Sequence, residues 1–180
     1  MKLLKDILYR AGIEEVIGST NVAIESICGD SRAATKFSLF FAIKGLEQDG
    51  HAYIEKAIAQ GAVAIICEVL PEKLVKDVNY IKVKNSRYAT GVVASNFYDN
   101  PSDSLKLVGI TGTNGKTTCA TLSYELFREL GHKVGLVSTV RNLIDGNEVS
   151  ATHTTPDPIS LNRLLAEMVD AGCSHCFMEV

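Results

Sequence analysis

Apolar residues recur along this chain at helical and strand spacings, and these periods predict its elements. Leu3, Leu4, Ile7 and Leu8 share one side of a helix predicted over 2–11. Two short β-like runs follow, VAIESI (22–27) and SLFFAI (38–43), separated by the polar turn GDSRAATK. The stretch DGHAYIEKAIAQG reads as a helix closed by Gly61, where a left-handed cap costs glycine little. AVAIICE (62–68) is a buried strand and VNYIKVK (78–84) another. Ser86 is placed to cap a helix to about Phe97 that turns Val92, Val93 and Phe97 inward.

The polar stretch YDNPSDS (98–104) carries a proline between two patterned halves, so we expect one domain over 1–100 and a second over 104–180. The second half restarts with a strand, LKLVGIT (105–111), and a helix from Thr117 to about Leu130 ended by Gly131. KVGLVST (133–139) is the next strand, and Asp145 and Gly146 mark a hairpin tip. Asp157 is an N-cap with Pro158 at the first helical position, opening a helix to about Ala171. CSHCFMEV is the last strand. Strands alternating with helices imply an α/β architecture. The second half is a β-loop-α-β-α-β series whose parallel sheet is expected to leave an edge with no covering element.

Composition changes this picture little. With 46% apolar and 22% charged residues a core can form, and a net charge of −3 argues for no nucleic-acid or anionic-membrane partner. No apolar run approaches the roughly 20 residues that span a bilayer. Asp6 and Arg10 interrupt what would be the apolar core of a signal peptide. The expectation is a soluble, cytoplasmic protein. Of five cysteines only Cys173 and Cys176 form a C-x-x-C pair, with His175 alone nearby, so buried, inert thiols are expected rather than a metal or redox centre.

The candidate chemistry lies in GITGTNGKTT (109–118). A phosphate-binding loop needs backbone N–H groups converging on one point, a helix N-terminus behind them, a lysine for the β/γ-phosphates and a hydroxyl for Mg²⁺. Gly112, Gly115, Lys116 and Thr117 meet those needs between a strand and a helix. The strict G-x-x-x-x-G-K-[ST] pattern fails, because Ile110 stands five residues before Gly115; this is a variant loop. Glu179 should end a strand lying beside the loop's own strand. There it is either an acid that handles Mg²⁺ or water, or a glutamate turned to solvent.

GITGTNGKTT, together with STVRNLIDG, THTTPDP and the terminal FMEV, resembles the Mur ligase family, and GDSRAATKFSLFFAIKGLEQDGHAYIEKAIAQGAVAII resembles its tripeptide-synthetase (MurE) type. The resemblance implies a small N-terminal α/β UDP-binding domain followed by the start of a P-loop parallel-sheet ATP-binding domain. It implies ATP and Mg²⁺ as cofactors and UDP-N-acetylmuramoyl-dipeptide as partner substrate, with diaminopimelate or lysine added through an acyl phosphate in peptidoglycan precursor synthesis. Residue by residue, Gly112, Thr113, Asn114, Gly115, Lys116, Thr117 and Thr118 would cradle ATP, with Lys116 catalytic. Thr117 and Glu179 would hold Mg²⁺. Ser31, Leu46, Glu47 and Gln48 would lie near the uracil and diphosphate, and His153, Thr154 and Thr155 against the sugar-peptide part.

Each of these has a plainer reading. Asp30 and Ser31 can form a turn through their own side chains, and Thr154 and Thr155 can be extended loop residues before a proline. His51 and His132 are read as structural, and Arg32 and Lys44 as ordinary exposed bases. Family members run to three domains, whereas the match covers the first and the opening of the second. The expectation is therefore an N-terminal fragment that binds ATP weakly at best and makes no tripeptide alone, monomeric if complete. A non-catalytic nucleotide- or UDP-sugar-binding module, or a decayed gene product, is the alternative; a generic P-loop ATPase or kinase fits less.

Overall fold

The computed structural model describes residues 1–45, 48–149 and 157–180, which divide into two units, Met1–Phe97 and Tyr98–Val180. Both mix strands and helices, as the α/β reading expects.

In the first unit, β1 (Lys2–Leu3) leads into α1 (Leu4–Ile7), followed by β2 (Ile13–Ile17), β3 (Ala23–Ile24), β4 (Ser26–Cys28) and β5 (Ser38–Phe41). Then come α2 (Ile54–Ala59), β6 (Ala62–Cys67), β7 (Asn79–Val83) and α3 (Ser86–Phe97). The main sheet runs β2-β7-β6-β5-β4, parallel from β4 to β7 with β2 antiparallel on β7. Strand β6 is almost wholly buried because both its faces are covered, which is why its sequence is a continuous apolar run. One core joins Phe40, Ile65 and Tyr80 to Ile54 and Ala57 of α2.

Three local expectations for this unit are corrected. The helix predicted over 2–11 is a single turn. Lys2 and Leu3 pair instead with Ile24 and Ala23, and Arg10 and Gly12 take left-handed conformations beyond it. Leu4, Ile7 and Leu8 are nevertheless buried, so the periodicity reports the face and not the length. Ser86 does not cap α3. Asn85 does, its Oδ1 accepting the Tyr88 N–H (3.0 Å), while the Ser86 N–H and hydroxyl both donate to Glu68 Oε1 (2.8 Å each). Val93 of that helix is buried, but Val92 and Phe97 are only half-buried. Strand β2 carries no sequence signal, since Ile13 and Val16 on this edge strand stay exposed. Gly61 does close the α2 segment, at φ +112°. A Cβ there would also lie 2.9 Å from the Lys36 backbone, so two constraints demand glycine.

The second unit contains β8 (Lys106–Ile110), α4 (Lys116–Glu129), β9 (Val134–Val137), β10 (Asn142–Ile144), β11 (Asn147–Val149), α5 (Pro158–Asp170) and β12 (His175–Glu179). Its sheet order is β11-β10-β9-β12-β8. Strand β12 is parallel to both β8 and β9, so the last strand lies directly beside the loop's strand as the pattern predicts. The hairpin turns at Asp145 (φ 46°) and Gly146 (φ 90°), the paired positive angles a tight two-residue turn requires. Asp157 caps α5, accepting from the Ile159 and Ser160 N–H groups, with Pro158 at the first position. Helix α4 packs Ala120 and Tyr124 on Leu136 and Phe177, and α5 packs Leu164, Leu165 and Met168 on Val137 and Cys176 across the sheet. Strand β8 is the outer strand among the described residues, with Leu107 and Val108 exposed. Among the described residues no helix is long and apolar enough to cross a membrane.

Candidate functional sites

In the second unit the loop 111–115 joins the end of β8 to α4. Gly112 (φ +151°) and Gly115 (φ +77°) take angles that side chains resist, and the loop is exposed. Gly115 is the helix N-cap without a side-chain cap, so the N–H groups of the first turn face outward with the positive end of the helix dipole. The Lys116 ammonium donates to the Gly112 carbonyl at 2.8 Å, folding over the loop it belongs to. Thr113, Asn114 and Thr118 are exposed around it.

Alternation along β12 aims the acid. Cys176 faces the α5 core and Phe177 the α4 core, so Glu179 emerges on the α4 side, beside Ile110 at the loop's start. Its Oε2 accepts from the Thr117 hydroxyl (2.9 Å), the Thr139 hydroxyl (3.0 Å) and the Thr139 N–H (3.2 Å). The Thr139 N–H first, and then the Thr117 hydroxyl, hold the carboxyl below its ordinary value of 4.5. Glu179 is partly exposed, and its carboxylate is held by Thr117 and Thr139. Thr139 was not anticipated: it follows β9 in the sequence, and only the parallel pairing of β9 with β12 brings it to the acid. Cys173 and Cys176 are buried thiols; burial pushes Cys173 up and Cys176 up to about 12.

The first unit holds a cavity of about 490 Å³ lined by Ser31, Arg32, Phe40, Gln48, Tyr53 and Lys56 among others. Ser31 is buried, in a short 3-10 turn capped by Asp30, whose Oδ1 accepts the Arg32 N–H (2.8 Å). The turn reading of Asp30 is therefore real, and it sets Ser31 into the cavity wall. Arg32 forks onto the same carboxylate at 2.7–3.1 Å and pulls Asp30 down to about 2. The Tyr53 hydroxyl donates to Gln48 Oε1 (3.1 Å). The fold thus brings Ser31 and Gln48 together and adds Phe40, Tyr53 and Lys56, which no motif marked. Leu46, Glu47, His153, Thr154 and Thr155 lie outside the described residues.

Comparison with known proteins matches both halves. Residues 23–98 match the family model described as Mur ligase family, catalytic domain, and residues 110–180 match Mur ligase middle domain. A UDP-N-acetylmuramoyl-L-alanyl-D-glutamate--2,6-diaminopimelate ligase of Cytophaga hutchinsonii is 56% identical over 98% of this chain and 37% of its own length. The protein of the same name from Parabacteroides distasonis is 53% identical over 98% of this chain and 36% of its own. The chain thus spans little more than a third of the relatives it matches. A solved structure of a ligase of that name shares the fold with a TM-score of 0.78 and 23% identity over 96% of this chain and 35% of that one. The MurF ligase of Thermotoga maritima, solved in complex with ADP, gives 0.58 and 26% over 86% of this chain and 31% of that one.

Proposed function

Because the chain belongs to the Mur ligase family, we propose that it supplies the substrate-holding and ATP-holding parts of a ligase of peptidoglycan precursor synthesis. That ligase adds diaminopimelate to UDP-N-acetylmuramoyl-L-alanyl-D-glutamate. The choice of diaminopimelate over lysine rests on the names of the relatives at 56% and 53% identity. The observation that carries the reading is Glu179 turned onto Thr117 at the start of α4, behind the glycine loop. A carboxylate beside a hydroxyl at a helix start is the kind of donor pair that phosphate-binding folds use for a nucleotide's metal, and this supports the reading.

In this reading the first unit, Met1–Phe97, holds the UDP end and the second, Tyr98–Val180, holds ATP in the cytoplasm. Gly112, Thr113, Asn114, Gly115 and Thr118 present backbone N–H groups to the phosphates. Lys116 exchanges the Gly112 carbonyl for β/γ oxygens. Thr117 Oγ1 and Glu179 Oε2, 2.9 Å apart, are hard oxygens that fit one Mg²⁺. An ion held there would supply neutralisation of phosphate charge. Ser31 and Gln48, with Leu46 and Glu47, receive uracil and diphosphate; His153, Thr154 and Thr155 receive the sugar-peptide part. The γ-phosphoryl group passes to a substrate carboxylate, giving an acyl phosphate and ADP. The incoming amine then forms the amide and releases phosphate.

Calorimetric titration of the chain with UDP and with ATP–Mg²⁺ tests the reading. UDP binds, ATP–Mg²⁺ binds weakly, and Lys116→Ala abolishes the second while leaving the first. ATP binding indifferent to Lys116, or no UDP binding, overturns the reading.

A further inference from the structure

One wall of the first unit's cavity is anchored by a side chain that does not line it. Residues 48–53 lie back against the end of the preceding strand segment: Gly45 N–H donates to the Gln48 carbonyl and Gly50 N–H to the Ile43 carbonyl, both at 2.9 Å. A Cβ on Gly50 would stand 2.6 Å from the Ile43 nitrogen, so the two arms touch backbone to backbone. A side chain, His51, also ties this segment to the end of β6. Its Nε2 accepts the N–H groups of Glu68 (3.0 Å) and Val69 (3.2 Å), just past β6 where the ladder to β7 has ended. Its Nδ1 lies 2.6 Å from Asp49 Oδ1, which also accepts the His51 N–H (3.0 Å).

These partners assign the tautomer. A ring nitrogen that accepts two N–H groups carries no proton, so the proton sits on Nδ1 and goes to Asp49. The ring is largely covered, at 18% exposure. Loss of it strands two amides and leaves Asp49 without its ring partner.

We propose that His51 is a positioning residue of the UDP cavity: it locks the 48–53 segment, with Gln48 and Tyr53, to the end of β6. The inference rests on the UDP reading given above. It explains why the Gln48–Tyr53 bond can sit at a fixed place in the wall although neither residue lies in a regular strand or α-helix. The lock is a side chain reaching 17 and 18 residues along the chain to backbone groups.

The test compares the whole chain with His51→Ala and His51→Gln, whose side-chain oxygen can accept in place of Nε2. UDP affinity is measured by calorimetry, and thermal midpoint and amide exchange at residues 68 and 69 are followed alongside. If alanine leaves the segment in its binding-competent state about a tenth of the time, apparent affinity falls roughly tenfold. Exchange at 68 and 69 then rises, and glutamine restores both. Wild-type affinity in His51→Ala, while the wild type binds UDP, overturns this inference alone; so does a His51→Gln chain of normal midpoint that fails to restore binding. A wild type that does not bind UDP overturns the functional reading beneath it. Should His51→Ala not fold, ring ¹⁵N shifts of the wild type still decide: a protonated Nε2 overturns the proposal.

Discussion

Phe177 is the side chain on which the position of Glu179 depends, and Phe177→Ala tests that dependence. The ring is 3% exposed between α4 and the sheet, paired with Val108 and Leu136 across β8 and β9. It meets Phe127 edge-on with centroids 5.0 Å apart. Truncating a buried phenylalanine costs about 3–5 kcal/mol. Burying roughly 200 Å² of aromatic surface at about 25 cal/mol per Å² gives the same size, about 5 kcal/mol. A unit of roughly 80 residues has about 4–12 kcal/mol in total, so the loss takes between roughly a quarter and all of it. At about 4–8 °C per kcal/mol the midpoint of the second unit falls by roughly 12–40 °C. Because Glu179 lies two residues along the same strand face, Mg²⁺-dependent ATP binding weakens with it. The UDP binding proposed for the first unit's cavity should persist, because that cavity is lined by first-unit residues. Circular-dichroism melts with parallel ATP–Mg²⁺ and UDP titrations read all three. A midpoint within about 2 °C of wild type would refute the packing argument, since only a relaxed or solvated ring loses so little.

Three other expectations follow from single residues. Glu179→Gln keeps an oxygen for its three donors but removes the charge, so Mg²⁺-dependence of ATP binding drops and the neutral-pH melt falls slightly, by the contribution of the charged carboxylate. Because hydrogen bonds depress the wild-type carboxyl, its contribution is present above the ordinary value of 4.5 and is lost as pH falls through the lower folded value. The wild type therefore loses midpoint more steeply than the variant in that acid window, and parallel pH profiles would contradict this. Gly61→Ala must hold φ near +112° and push a methyl against the Lys36 backbone, costing about 2 kcal/mol or more by denaturant titration; an unchanged midpoint would refute it. Alkylation of the native chain should give a single adduct at exposed Cys119. Burial covers the other thiols and pushes Cys28 and Cys67 up to about 11 and Cys176 to about 12; early modification of Cys176, read by peptide mapping, would contradict the fold.

The sequence by itself determined whatever depends on neighbours along the chain. Asp145 and Gly146 specify the hairpin because a two-residue turn needs positive φ angles that few residues accept, and Asp157 with Pro158 starts α5 because capping is local. The glycine loop, Lys116 and Thr117 were readable for the same reason: backbone freedom and a helix start sit within a few residues. The expectation that the last strand lies beside the loop's strand also held, with Glu179 opposite Ile110.

Tertiary structure alone decided the rest. Strand β2 leaves no period because an edge strand can be held by backbone pairing with β7 while its side chains stay in water. Asn85 rather than Ser86 caps α3 because Glu68, 18 residues earlier, draws both Ser86 donors. Thr139 reaches Glu179 across 40 residues, and His51 reaches the amides of 68 and 69, through contacts that no spacing encodes. A hydrogen bond between distant residues has no local signature: its partners are chosen by the strand order and register that the whole core imposes.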